Sequence, residues 1–417
     1  MANPTASGQS AHPLPRALWV AVLMSPLLGW LSALVVLCLA VKGLMTQGLR
    51  ASCAHLGQGA ARWLFLTVLF WWLVLLLGDL AATPSVPWWQ DSRFLLVIVP
   101  PLLLMPQFQR CQITYRQVGH WASWSVWITA TAIALEYLVA VQWAGMEHHR
   151  PRALSGNALF VSVMLVPMMM LCWLGATNGS RWAWVRPVAT HVLGMVCLAG
   201  LLGARASTVI AIGLLPMALL WQRRVWGVSS ARIITGTLLA LTAAVLFLLP
   251  AMSGWYEQRW NALLRVLAGQ DPSGLGDYGI ATRALHWPAA WQAIVDRPWL
   301  GHGFLNETAT LQQYLAPGSV VLPTAHQQFL SFMLWSGVPG LVTGFALMAL
   351  PVLLAVIRQR GPMGVYAAFA ISLPLMLNGL FDTVLDDLRI VSHYLMLMVL
   401  VDAVIEERGS PPVQAPT

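Results

Sequence analysis

Charge is what this sequence has least of. Only 9% of its 417 residues are Asp, Glu, Lys or Arg, where a soluble domain carries roughly 25%. So few ionisable groups cannot solvate a globular surface, which excludes a soluble enzyme, a nucleic-acid-binding module and a disordered scaffold. Lysine is nearly missing: Lys42 is the sole one, so the net charge of +8 is carried almost wholly by arginine. Cysteine is scarce too. Of five, Cys38, Cys172 and Cys197 lie in apolar runs and Cys53 and Cys111 in short loops expected inside the cell. None has CxxC spacing and no histidine cluster accompanies them, so neither an outer disulfide nor a metal site is expected. The first 16 residues are polar and carry proline, with no small-residue site after a short apolar core, so a cleaved signal peptide is not expected either.

What is present in quantity is apolar: 58% of residues are hydrophobic. In lipid such a chain satisfies its backbone internally as stacked helices, so the expected fold is an all-α polytopic membrane protein. Residues 17–44 are apolar for longer than the roughly 20 positions a bilayer needs, and Pro26 with Gly29 interrupts them, which reads as a hairpin of two short helices. Further runs fall at about 63–80, 92–106, 118–144, 157–177, 187–204, 206–221, 233–251, 326–356, 363–381 and 388–405, giving about 12 spans. The expected organisation is a cytoplasmic tail over 1–16, nine spans within 17–251, a large outer loop over 252–325, three spans within 326–405 and a cytoplasmic tail over 406–417.

Short cytoplasmic loops collect Lys and Arg. With the N-terminus inside, 14 of the 23 cations fall inside, Arg223, Arg224, Arg358 and Arg360 among them, and 11 of the 15 acids fall outside. Nine outward arginines remain against that bias. Arg205 is the sharpest, because GLLGARAST is the only place where the apolar stretch from 187 to 221 can turn. A junctional arginine either snorkels to headgroups or lines an aqueous cavity, where several guanidinium groups converging from different loops would hold a diphosphate through bidentate bonds.

Two segments of the outer loop read as helices lying on the membrane: WYEQRWNALLRVLAG, which holds Arg265, and a second from about 281 to 295, which puts Arg283 four residues before Trp287. Trp287 and Trp291 suit anchoring at headgroup level. His326 opens HQQFLSFMLWSGVPG just after Pro323 and Thr324, so it is expected in the first turn of a span at the outer surface, where the helix dipole disfavours imidazolium. It reads either as a helix cap or as a neutral imidazole able to accept a proton. Glu136, within a span, reads as a satisfied buried carboxylate or a cavity liner.

The HxxFLxxxxxxGxxG run from His326 to Gly340, RALHWPAAWQAIVDRPWLGHGF ahead of it, the dozen spans and the large outer loop together resemble the O-antigen ligase and polymerase superfamily, the ligases more closely. The resemblance implies a C-type glycosyltransferase architecture with a partly helical periplasmic loop. It implies an inner-membrane enzyme, active on the periplasmic face, that moves polysaccharide from undecaprenyl diphosphate to the outer core sugar of lipid A-core without metal, nucleotide or other cofactor. On the same resemblance His326, Arg205 and Arg283 are the catalytic positions, although Arg205 follows Ala204 where relatives carry serine. Arg265, Arg389, Asp382 and Asp386 are the expected substrate-binding positions. Partners are then the lipid-linked glycan, lipid A-core and membrane lipid, with no nucleic acid. The competing readings are a polymerase of the same superfamily, a lipid-linked glycan transporter, against which no inverted internal repeat is visible, and a scaffolding membrane protein, which has no need of a junctional Arg205.

Overall fold

The computed structural model describes residues 22, 24–47, 59–83, 93–110, 113–145, 151–152, 157–175, 185–226, 261, 264–265, 268, 278–315 and 321–404. The expected span at 233–251, most of 252–277 and both expected tails lie outside them. Besides the short helix Ser25–Leu28, twelve α-helices organise the described chain: α1 (Trp30–Gln47), α2 (Gly59–Ala82), α3 (Arg93–Arg110), α4 (Tyr115–Leu138), α5 (Ala158–Leu171), α6 (Val185–Val196), α7 (Arg205–Trp226), α8 (Tyr278–Asp296), α9 (Glu307–Tyr314), α10 (Gln328–Ile357), α11 (Pro362–Gly379) and α12 (Leu388–Ala403). By length and composition six segments can cross a membrane, those of α2, α4, α5, α7, α10 and α11, and three shorter apolar helices overlap α1, α3 and α6. The protein is an all-α polytopic membrane protein.

The surface carries the apolar pattern that a membrane-spanning helix needs. On α2, Trp63, Leu66, Phe70, Leu73, Leu77 and Leu80 are exposed at alternating spacings of three and four residues, which places them on one face of the helix. An apolar stripe of that length is a liability in water and ordinary against acyl chains. At the centre, α5 is apolar on every side and buried on every side, from Phe160 to its 3-10 extension at Leu174, packed among α4, α6, α7, α11 and α12. A small-residue seam brings α4 against that extension: a Cβ on Gly119 would run into the Gly175 backbone.

The chain turns where small residues permit. Gly29 has φ 52° and separates a helical turn at Ser25–Leu28 from α1, at the interruption read from the sequence. Gly203 has φ 58° and separates the π-turn Cys197–Leu201 after α6 from Arg205, the first residue of α7.

One long apolar run hides a break. Helix α10 covers 30 residues, about 45 Å of helix, but Ser336 (φ −147°, ψ 21°) and Gly337 (φ 65°, ψ −153°) are not helical. The carbonyls of Leu334 and Trp335 accept instead from His302 N–H (2.6 Å) and Gly303 N–H (3.0 Å), and Val338 N–H donates to Pro298 O (2.8 Å). The turn Pro298–Gly303 thus satisfies the backbone that the break exposes, which is what lets a broken helix persist in an apolar setting. Gly301 (φ 66°) and Gly337 are both required: a Cβ on either would collide with backbone of the other segment.

Candidate active site

The turn that follows α11 and the segment that precedes α10 meet at one point. His326 lies there, but not where the sequence reading put it. The N-cap of α10 is Gln327, whose side chain accepts from Leu330 N–H at 2.6 Å, so His326 lies before the helix rather than in its first turn. Its backbone is left-handed, φ 53°, one of two non-glycine residues with positive φ among those described. The helix-terminus argument for a neutral ring does not apply in that position. The ring is governed by Asp382, whose Oδ1 lies 2.8 Å from His326 Nδ1. A carboxylate only accepts, so Nδ1 carries the proton in this bond and Nε2 is left as the basic nitrogen. Among the described residues Nε2 has no hydrogen-bond partner, and the side chain is 30% exposed.

Asp382 is itself fixed. Thr383 N–H donates to the same Oδ1 at 2.9 Å, and the turn carrying it is tied to α10 because Gln328 Oε1 accepts from both Val384 N–H and Leu385 N–H at 2.7 Å. Arg283, from α8, reaches the residue before Asp382: its NH2 group donates to Phe381 O at 2.8 Å and its NH1 group to Gly279 O at 3.0 Å. Two of the five N–H donors of the guanidinium are used in this way. His326, Asp382 and Arg283 are therefore brought together from three separate stretches of chain: α8, the segment before α10 and the turn after α11.

The other expected positions are more distant partners. Arg205 begins α7, and two residues on Ser207 donates to Asn378 Oδ1 at 2.8 Å, tying the start of α7 to the end of α11, four residues before Asp382. Arg205 makes no direct bond with His326 among the described residues. Arg389 is forked on Asp387, Nε to Oδ1 at 2.9 Å and NH2 to Oδ2 at 2.6 Å, and lies over the Phe160 ring, so its charge is already answered. Arg265 is exposed and is not brought to the cluster by any described contact. Asp386 is partly buried; burial first, then the carboxylates of Glu307, Asp387 and Asp382, push its pKa up to about 8. Glu136 accepts the backbone N–H of Arg152 on both oxygens, at 3.0 and 3.1 Å, and stands apart from this group.

Glu307 is a residue the sequence reading did not single out. Fully buried at the start of α9, its Oε1 accepts from Ala325 N–H (2.8 Å) and Ser331 Oγ (2.7 Å), and its Oε2 from Trp335 Nε1 (2.6 Å). Burial raises its pKa, while those three hydrogen bonds and the nearby His326 oppose the rise. Its only signal in the sequence was an acid among apolar neighbours, Phe304, Leu305 and Leu311.

Residues 190–345 match the O-antigen ligase family model. The matched segment contains Arg205, Arg265, Arg283, Glu307 and His326, and ends before the turn that supplies Asp382. This match supports membership of the O-antigen ligase superfamily, the family to which the HxxFL run and the loop ahead of it pointed. A search of curated proteins found no match to the chain. Among the described residues no three His, Cys, Asp or Glu side chains are grouped to hold a metal ion. A cavity lined by residues including Tyr115, Leu354, Arg360 and Asp402 lies at the other end of α10 and shares no residue with the His326 cluster.

Proposed function

We propose that the chain is an inner-membrane glycosyltransferase of the O-antigen ligase kind, which transfers polysaccharide from undecaprenyl diphosphate to a sugar hydroxyl of lipid A-core on the periplasmic face. The observation that carries this reading is the His326–Asp382 pair with Nε2 open and Arg283 one residue from the aspartate. An acceptor hydroxyl at Nε2 gives up its proton to the ring as its oxygen attacks the anomeric carbon. The bond from that carbon to the diphosphate oxygen breaks at the same time, the electron pair leaves with undecaprenyl diphosphate, and attack from the opposite side inverts the anomeric centre. Asp382 holds the ring in the tautomer that leaves Nε2 basic and stabilises the imidazolium that forms. The free donors of Arg283, with Arg205 at the start of α7, face the charge that grows on the leaving diphosphate.

The test is direct. Purified protein mixed with a glycan on undecaprenyl diphosphate and with lipid A-core should convert the core to higher mass. Product that forms only between two lipid-linked glycans would replace this reading with a polymerase, and no product with either acceptor would end both.

A further inference from the structure

The left-handed backbone at His326, φ 53°, is a conformation that few non-glycine residues adopt, and it needs an explanation. Such a conformation persists only where its surroundings over-determine it. Here the residue before it, Ala325, is fully buried and is held on both sides. Its N–H donates to Glu307 Oε1 at 2.8 Å, and its carbonyl accepts from Trp287 Nε1 at 3.0 Å. Glu307 is in turn held by Ser331 and Trp335 on α10, and Ser331 Oγ is 3.0 Å from Thr383 Oγ1, the neighbour of Asp382. One carboxylate thus bonds, directly or through one hydroxyl, to the segment that carries the histidine and to the turn that carries its aspartate.

We propose that Glu307 is a positioning residue for His326: its carboxylate, with Trp287 on the other side, holds the Ala325–His326 backbone in the left-handed form that aims the ring at Asp382. Glu307 acts through that backbone and touches neither substrate. The role as a catalytic aid rests on the ligase reading above, but the geometric claim does not.

Glu307→Gln puts one oxygen where three donors converge, so either Trp335 or the Ala325 and Ser331 pair loses its acceptor. Trp287→Phe removes the opposite half of the clamp at a side chain that is 39% exposed, where folding is not at stake. The readout is the rate of carbethoxylation at His326 against pH, followed by peptide mass spectrometry, with His302 as the internal control. Glu307→Gln should move the His326 profile to that of Asp382→Asn while His302 keeps its own, and Trp287→Phe should move it part of the way. In the ligation assay Glu307→Gln should lower kcat by about 10- to 100-fold, the scale of a displaced catalytic group, with the donor KM within about twofold. A wild-type His326 profile in both variants would overturn the proposal. So would equal acceleration at His326 and His302, which marks general loosening. Labelling needs no turnover, so a wild-type protein that fails to ligate refutes the ligase reading and leaves this test intact.

Discussion

Replacing Asp382 with asparagine isolates the contribution of one charge. The side chain keeps its shape, and an amide oxygen in place of Oδ1 can still accept from His326 Nδ1 and from Thr383 N–H, now 2.8 and 2.9 Å away. What disappears is the negative charge beside a ring that becomes imidazolium during transfer. A hydrogen bond to a charged partner contributes about 1.5–3 kcal/mol, and with side chains 30% and 25% exposed solvent screens this pair toward the lower end. At about 1.4 kcal/mol for each factor of ten, Asp382→Asn should lower kcat roughly 10- to 30-fold. The donor KM should hold, because Asp382 is committed to the ring rather than to the diphosphate. Purified variant and wild type, assayed by the mass shift of lipid A-core over a range of donor concentrations, give both constants. Unchanged kcat would refute the reasoning, and so would a loss confined to KM, which would return Asp382 to substrate binding.

Three further outcomes follow from the same geometry. Arg283→Lys loses the fork that spans the Phe381 and Gly279 carbonyls and faces an anion as a point charge, so kcat/KM for the donor should fall at least about tenfold, measured in the same assay. Asp386 holds its proton to about pH 8 in the folded state, far above an unfolded aspartate. Its contribution to stability is whole below about pH 4 and is lost as pH rises through about 8; the Tm of detergent-solubilised wild type should fall across that window, and Asp386→Asn should flatten the fall. Gly337→Ala forces a side chain onto a backbone at φ 65° and against the Pro298 carbonyl, which should destabilise by at least about 2 kcal/mol and lower the Tm, whereas Gly213→Ala, in open space on α7, should not.

Hydropathy and small residues carried much of the architecture into plain view. Gly29 and Gly203 mark breaks in apolar runs, both are at positive φ in the structure, and Arg205 opens a helix at the junction read from GLLGARAST. The helix read at 281–295 is observed as Tyr278–Asp296, the early start being invisible because Tyr278 and Gly279 follow a Gly- and Pro-rich stretch that reads as loop. Other features were hidden for physical reasons. The break in α10 lies inside a continuous apolar run, and its cause is a tertiary contact: the turn at Pro298–Gly303 supplies the missing hydrogen bonds. His326 was displaced from its expected place because a Gln side chain at 327, and not the Thr324 region, caps α10. The choice between Asp382 and Asp386 could not be read from spacing. It depends on which carboxyl the turn after α11 points at the ring, while the other lies near carboxylates that push its pKa up. Glu307 needed coordinates altogether, since its three donors come from residues 18 to 28 positions away.

The central claim is that the open nitrogen of His326 takes the acceptor's proton. Its most direct measurement is ligation by His326→Ala inserted in the membrane at wild-type amounts, read as glycan-bearing lipid A-core on a gel. The account predicts that capped product is abolished while the protein level and Tm hold, and capped product at the wild-type level would contradict it.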